Sequence, residues 1–109
     1  MKKDINDMTE EQQIKKVRKN PFLIADIKNP SEAVQLEAVR QDWLAITDIK
    51  NPSEAIQLEA IKQNPYAIAY IQNPTENVQE YILKNHRHLI YAIRNPCDKI
   101  KILKKIREL

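Results

Sequence analysis

The sequence predicts an all-α fold, a short α-solenoid built from five two-helix units of 22 residues. The segment IKNPSEAVQLEAVRQ (residues 27–41) returns almost unchanged as IKNPSEAIQLEAIKQ (residues 49–63), and residues 27–48 match residues 49–70 at 14 of 22 positions. The dipeptide Asn-Pro recurs in the same phase, starting at Asn29, Asn51, Asn73 and Asn95. A fixed period of this length is typical of repeat proteins, in which each unit stacks on the next.

The recurring Asn-Pro is expected to start the long helix of each unit. Asn is favoured as an N-cap and Pro at the first helical position, and an acid shortly afterwards can accept a hydrogen bond from the cap. The acid follows two residues after each proline, as Glu32, Glu54, Glu76 and Asp98. The pattern predicts a helix over residues 30–41 in the second unit. One period earlier, Thr9 and Glu10 keep the cap and the acid without the proline.

The 22-residue spacing of the helix starts predicts one helical-repeat domain over residues 1–109. Its units lie at about residues 5–26, 27–48, 49–70, 71–92 and 93–109, and the first and last are degenerate caps. Glu11 and Gln12 give the first unit a polar outer face, because internal units have Ala and Val or Ile there. The last helix keeps its apolar residues on one side, namely Ile102, Leu103, Ile106 and Leu109.

A shorter helix is predicted after each long one, opening at Asn20-Pro21, Asp42-Trp43 and Asn64-Pro65. Two isoleucine ladders recur with it: Ile24, Ile46, Ile68 and Ile90, and three residues later Ile27, Ile49, Ile71 and Ile93. The spacing places each pair on one helix face, so the ladders are expected to stack into one core. The long helix is apolar on two sides, with one row of Ala33, Leu36 and Val39 and another of Val34 and Ala38. Two apolar faces are expected of a helix between two neighbours.

Composition argues against several classes of site. The 109 residues include no glycine, whereas phosphate-binding loops, dinucleotide fingerprints and nucleophile elbows depend on it. Cys97 is the one cysteine, so neither an intrachain disulfide nor a cysteine-based metal site is expected. No run has the length of a membrane span and the first residues lead into no apolar segment, so we expect a cytoplasmic protein without a membrane partner.

The net charge of +3 conceals an uneven distribution. Residues 27–83 carry eight acids and four bases, whereas residues 84–109 carry eight bases and two acids. A basic end of this kind can attract nucleic acid, an acidic protein surface or the acidic middle of a second copy.

The NPSEAVQLEAVRQ and NPYAIAYI segments resemble short Asn-Pro helical repeats of a family of unknown function found in bacterial, bacteriophage and giant-virus proteins. They are more loosely similar to leucine-rich-variant α-solenoids. The resemblance covers nearly the whole chain. It implies an irregular right-handed stack of short helices and no particular activity. The chain lacks a cysteine cluster like that of some leucine-rich-variant proteins, so the resemblance implies no metal or other cofactor.

Candidate catalytic residues are explained more simply by structure. His86 and His88 are two residues apart, so on a helix they point to different sides and do not match the i, i+4 histidine pair of zinc proteases. Ser31 and Ser53 recur at helix starts, which favours capping over nucleophilic catalysis. The ladder of acids likewise favours capping over acid catalysis. We therefore expect no catalytic residue.

The candidate binding residues are mostly aromatic or basic. Some depart from the repeated pattern, and others continue a row that recurs from unit to unit. Trp43 stands where other units have proline, and it is interpreted either as cover for the core or as a partner contact. Phe22, Leu44, Tyr66 and His88 form one ladder, and Arg18, Arg40, Lys62 and Lys84 form another. Glu37 and Glu59 precede Arg40 and Lys62 by three residues, which predicts ordinary helix-surface ion pairs. The residues expected to bind a partner are Arg40, Trp43, Tyr66, Lys84, Arg87, His88, Tyr91 and Arg94.

These patterns favour a non-enzymatic module that binds another protein through a few aromatic and arginine side chains. The phage association of the resembling family adds a specific hypothesis, a small inhibitor of a host defence complex. Two alternatives remain open: a nucleic-acid-binding protein that uses its basic C-terminal end, and a homo-oligomeric structural protein.

Overall fold

A computed structural model describes residues 3–109, and every regular element in this range is a helix. The prediction of an all-helical fold is confirmed. Five α-helices begin 22 residues apart: α1 (Glu10–Lys19), α2 (Glu32–Gln41), α3 (Glu54–Gln63), α4 (Glu76–Asn85) and α5 (Asp98–Glu108). The short helices are 3₁₀ helices: η1 (Ile5–Asp7), η2 (Pro21–Asp26), η3 (Trp43–Asp48), η4 (Pro65–Tyr70) and η5 (Arg87–Ala92).

Elements that are close in sequence lie close in space, which gives the chain an extended shape of 63 × 19 × 16 Å. The α-helices form one layer and the 3₁₀ helices η2 to η5 form a second layer, in which each packs on the next. In the α-layer, α1, α2 and α3 pack closely side by side, whereas α4 makes much sparser contact with α3. Ala38 and Ala60 are fully buried in α2 and α3, and the residue at this position in α4 is the larger Ile82.

Asn does not cap the long helices, so the prediction that α2 begins at Pro30 is wrong. The N-caps are Ser31, Ser53 and Thr75, whose hydroxyls accept hydrogen bonds from the backbone N–H three residues later. Three of the asparagines instead occupy the left-handed backbone region, with φ of 51° at Asn29, 49° at Asn51 and 48° at Asn95. Asn tolerates this region better than most residues because its short polar side chain can bond locally. The recurring Asn-Pro therefore forms the turn that precedes the helix.

The predicted caps of the short helices are correct. Asn20, Asp42 and Asn64 each accept a hydrogen bond from the backbone N–H two residues later, and Pro21 and Pro65 occupy the first helical position. The first long helix, α1, is capped by Thr9 as predicted, and Thr9 forms a capping box with Gln12.

The isoleucine ladders form the core, as predicted: all eight side chains are buried. Val34, Ala38 and Val39 are buried as well, but Ala33 is exposed, so the first of the two predicted rows is wrong at that residue. Glu11 and Gln12 are exposed, as is Ala33 at the position equivalent to Glu11.

A ladder of glutamines connects the units through the backbone. Gln13, Gln35, Gln57 and Gln79 lie 22 residues apart, and each donates a hydrogen bond to a backbone carbonyl five to eight residues earlier. Gln57 and Gln79 are buried and also accept from the next unit, from the N–H of Thr75 at 3.1 Å and of Cys97 at 2.7 Å. The acids at the helix starts make a second set of links, because Ser53 donates to Glu32 and Thr75 donates to Glu54. These two acids bind the next unit's cap rather than their own, contrary to the predicted capping role.

Candidate partner-binding surface

The layer of 3₁₀ helices presents one row of large side chains to solvent. Phe22, Leu44, Tyr66 and His88 each occupy the second position of their helix, and all four are exposed. Phe22, Leu44 and Tyr66 are held by the same device, because their backbone N–H groups donate to Asn20, Asp42 and Asn64 at 3.2, 3.0 and 3.0 Å. The cap thus fixes the backbone from which each side chain projects. We refer to these four residues as the 3₁₀ row.

At its C-terminal end the 3₁₀ row becomes an aromatic cluster. The ring of Tyr66 lies edge-on to that of His88, with centroids 6.5 Å apart, although 59% of Tyr66 is exposed. His88 lies 6.3 Å from His86, and His86 lies 6.1 Å from Tyr81. The tyrosine–histidine cluster, defined as Tyr66, Tyr81, His86 and His88, therefore joins two consecutive units. Sequence reasoning identified Tyr66 and His88 as binding residues and overlooked Tyr81, which stands where the second and third units have Glu37 and Glu59.

Trp43 fits both interpretations that the sequence left open. Its side chain is half-buried and packs against the core, and its ring lies 5.7 Å from that of Tyr70 in the next unit. Tyr70 is exposed and was not singled out as a binding residue. The sequence feature that could have identified Tyr70 is the change from an acid to an aromatic residue, since the two preceding units have Asp26 and Asp48 at this position.

The basic candidate residues are exposed but do not all lie together. Lys84 is in the last turn of α4 and Arg87 opens η5, so both lie next to the tyrosine–histidine cluster in the chain. Arg94 lies in the turn after η5, and Arg40 lies two units away on α2. Tyr91, also exposed, lies beneath the ammonium group of Lys104 at 5.6 Å. Lys84 and Arg87 thus belong to the same unit as His88, whose ring lies beside Tyr66, whereas Arg40 lies on α2.

Two ion pairs are found within residues 3–109, Arg18–Glu37 at 2.9 Å and Lys99–Glu80 at 3.5 Å. The predicted pairing of Glu37 with Arg40 is therefore wrong. Arg18 reaches across from the preceding unit, and its hydrogen bond lowers the pKa of Glu37, with a smaller contribution from Gln41. The predicted pair of Glu59 with Lys62 is not formed either, since Glu59 accepts from Gln63. Arg18, the first residue of the ladder of bases, thus connects the first unit to the second.

Two equivalent grooves lie between successive turns, with volumes of about 620 and 700 Å³. They share Ile49 and Lys50, and each is lined by one glutamine of the ladder, Gln35 or Gln57. Within the described residues, no buried side-chain N or O atom lacks a hydrogen-bond partner. No group of three His, Cys, Asp or Glu side chains comes together there in a way that could hold a metal ion.

No helix in residues 3–109 combines the length and apolar character needed to cross a bilayer. Comparisons with protein-family models, curated proteins and solved structures find no match to the chain. The resemblance to Asn-Pro repeats stays a prediction.

Proposed function

We propose that the chain is a right-handed α-solenoid of five 22-residue repeats that acts as a non-enzymatic, cytoplasmic protein-binding module. The observation that carries this proposal is the 3₁₀ row with the tyrosine–histidine cluster at its end. Clustered exposed apolar side chains are typical of protein-interaction sites, and Tyr, Trp and Arg are enriched among the residues that dominate binding energy. The extended stack and its regular spacing support the repeat architecture.

The surface is prearranged for binding. Tyr66 projects from a helix whose first turn is fixed by Asn64, and its ring is already in contact with His88. A partner would therefore lose little additional side-chain entropy when it binds there. Trp43 and Tyr70 form a second aromatic contact on neighbouring 3₁₀ helices. We assign the main binding energy to Tyr66, Trp43 and Arg87.

Charge restricts the class of partner. In the chain, Lys84 lies two residues before His86 and Arg87 lies between His86 and His88, and residues 84–109 carry eight bases against two acids. We propose a partner protein whose contact surface combines apolar and acidic residues, since like charges at this position would oppose association. The hypothesis of a phage-type inhibitor of a host defence complex has its only support in the resemblance of the repeats.

The test is affinity capture of the tagged protein from its native lysate, with and without nuclease, at low and moderate salt, followed by mass spectrometry. We expect a stoichiometric protein partner that survives nuclease treatment and moderate salt. The double variant Tyr66→Ala/His88→Ala should lose this partner. Lys62→Ala, an exposed position on α3, is the matched control and should retain it.

Two other results would overturn this assignment. Recovery of nucleic acid alone, released by salt and lost on substitution of the bases near residues 84–107, would make the basic end a phosphate-binding surface. A mass above 12.8 kDa in sedimentation equilibrium, without any captured partner, would favour the homo-oligomeric structural protein. Equal capture by the wild type and the Tyr66→Ala/His88→Ala variant would place binding elsewhere on the chain.

A further inference from the structure

The contacts between units distinguish two faces on each long helix. Residues that reach the following unit lie at the first, fourth, fifth and ninth helical positions. At the first and fourth positions, Glu54 accepts a hydrogen bond from Thr75 at 2.5 Å and Gln79 accepts one from Cys97 at 2.7 Å. At the fifth and ninth positions, Glu80 pairs with Lys99 at 3.5 Å and Arg18 pairs with Glu37 at 2.9 Å. These positions lie on one side of a helix with 3.6 residues per turn. We call this side the forward face.

On α5 the forward face is exposed and contains apolar residues. The corresponding positions are Asp98, Lys101, Ile102 and Ile106, and all are exposed. Ile102 and Ile106 each expose 58% of their surface. The other side of α5 is occupied, because Ile100 is buried and Lys104 lies over Tyr91 of the preceding unit.

The chemistry of this face differs from that of the other long helices at two neighbouring positions. The ninth position is basic in α1 to α4 and is Ile106 in α5, whereas the eighth position is apolar in α1 to α4 and is Lys105 in α5. The exchange places Lys105 one turn after Lys101, and Ile106 one turn after Ile102. Residues four apart lie on one face, so α5 presents an apolar column beside a basic column.

We propose that the forward face of α5 binds an amphipathic helix of another protein, one that carries an apolar column beside an acidic column. The charge supports an acidic occupant, because residues 93–109 carry six bases and two acids. The chain itself provides the precedent. The helix seated on the forward face of α1 is α2, which presents Glu37 to Arg18. This surface is separate from the 3₁₀ row, so the proposal does not depend on the function proposed above.

Two other occupants match the face less well. A second copy would bring Lys101 and Lys105 towards an identical basic face, and like charges oppose association. A bilayer surface is bound by helices with a large apolar face, often with aromatic residues. The described forward face offers Ile102 and Ile106 as its apolar contacts, which suits the narrow stripe of a single helix.

The proposal is tested by isothermal titration calorimetry with two capped synthetic helical peptides. Both carry leucines at i, i+4 spacing, and the neighbouring column is Glu in one and Lys in the other. We expect the wild type to bind the Glu peptide and to reject the Lys peptide. The Ile102→Ala/Ile106→Ala variant should bind the Glu peptide about tenfold more weakly, or worse. Lys101→Glu/Lys105→Glu should reverse the preference, while Lys62→Glu, a matched exposed site on α3, should leave it unchanged.

Circular dichroism shows whether each variant is folded. If Ile102→Ala/Ile106→Ala does not fold, Lys101→Glu/Lys105→Glu provides the test. Failure of the wild type to bind the Glu peptide would overturn the proposal, as would binding that is unaffected by both double variants. Dimerisation through Ile106, seen by sedimentation equilibrium and lost in Ile106→Glu, would assign the face to a second copy. Binding to phosphatidylglycerol vesicles, but not to either peptide, would assign it to an anionic membrane. The result of the Tyr66→Ala/His88→Ala capture experiment affects none of these outcomes.

Discussion

The side-chain oxygen of Gln79 accepts a hydrogen bond at 2.7 Å from the backbone N–H of Cys97. Cys97 is the residue immediately before α5. The amide nitrogen of Gln79 meanwhile donates to the carbonyl of Pro74 at 3.0 Å. One buried side chain thus satisfies polar backbone groups of two consecutive units. Cys97 provides no side-chain hydrogen bond to cap α5, whereas Thr75, which donates the equivalent bond to Gln57, also caps α4.

Replacement of Gln79 should therefore destabilise the protein. Gln79→Leu keeps most of the volume but leaves the N–H of Cys97 and the carbonyl of Pro74 without their partner, at a cost of about 1–3 kcal/mol in the free energy of unfolding. Urea denaturation monitored by circular dichroism measures this cost. Gln72→Leu, at an exposed site, is the control and should change the free energy of unfolding little. An equal effect of the two substitutions would contradict a specific role for the buried glutamine.

The ion pair of Arg18 with Glu37 predicts a pH dependence. The pKa of Glu37 is lower in the folded state than its usual value, because Arg18 donates to the ionised carboxylate. The pair therefore stabilises the fold fully above the ordinary carboxyl pKa, and this stabilisation is lost as pH falls through the lowered pKa.

Glu37→Gln should reduce the free energy of unfolding by about 0.2–1 kcal/mol at pH 7, because 57% of the Arg18 side chain is exposed and screened. The difference between wild type and variant should shrink as pH falls below the native pKa of Glu37. Urea denaturation from pH 2 to pH 7 measures both changes. Glu59→Gln, which removes no ion pair, should show no such convergence.

The left-handed conformation of Asn29 predicts an unusual preference for glycine in a chain that has none. Asn29→Gly should leave stability nearly unchanged, whereas Asn29→Ala should cost about 1 kcal/mol, because a Cβ without a polar group disfavours a φ of 51°. Thermal unfolding of the two variants provides the comparison. Equal stability of the Ala and Gly variants would mean that the turn does not need the left-handed region.

The contact between Trp43 and Tyr70 can be followed by fluorescence, because Trp43 is the single tryptophan. Tyr70→Ala removes the ring that lies 5.7 Å from the indole, so the emission maximum should shift to longer wavelength as water gains access. Tyr91→Ala, in the next unit, should leave the emission unchanged. An unshifted spectrum in Tyr70→Ala would show that Tyr70 does not shield the indole.

The periodicity of the sequence predicted the helices and most of the core, because apolar spacing reports directly on which side of a helix is buried. The isoleucine ladders are the clearest example. The predicted helix starts are wrong at α2 to α5, because Asn can either cap a helix or occupy a left-handed turn, and the dipeptide Asn-Pro is compatible with both. The adjacent Ser31 was the actual cap.

Contacts between units were harder to predict than contacts within them. The partner of Glu37 lies 19 residues away in the sequence, and a helix-surface rule considers only partners three or four residues away. Tyr81 was overlooked because its role depends on His86 across the helix boundary. The 22-residue spacing of the glutamine ladder is present in the sequence, but the spacing alone does not show that Gln57 and Gln79 are buried.

The polar links between units run in one direction along the chain. Glu32, Glu54, Gln57 and Gln79 each accept a hydrogen bond from the residues that open the following long helix. The start of each of these helices is therefore held by the unit before it, so local unfolding of one unit would remove a support from the helix that follows.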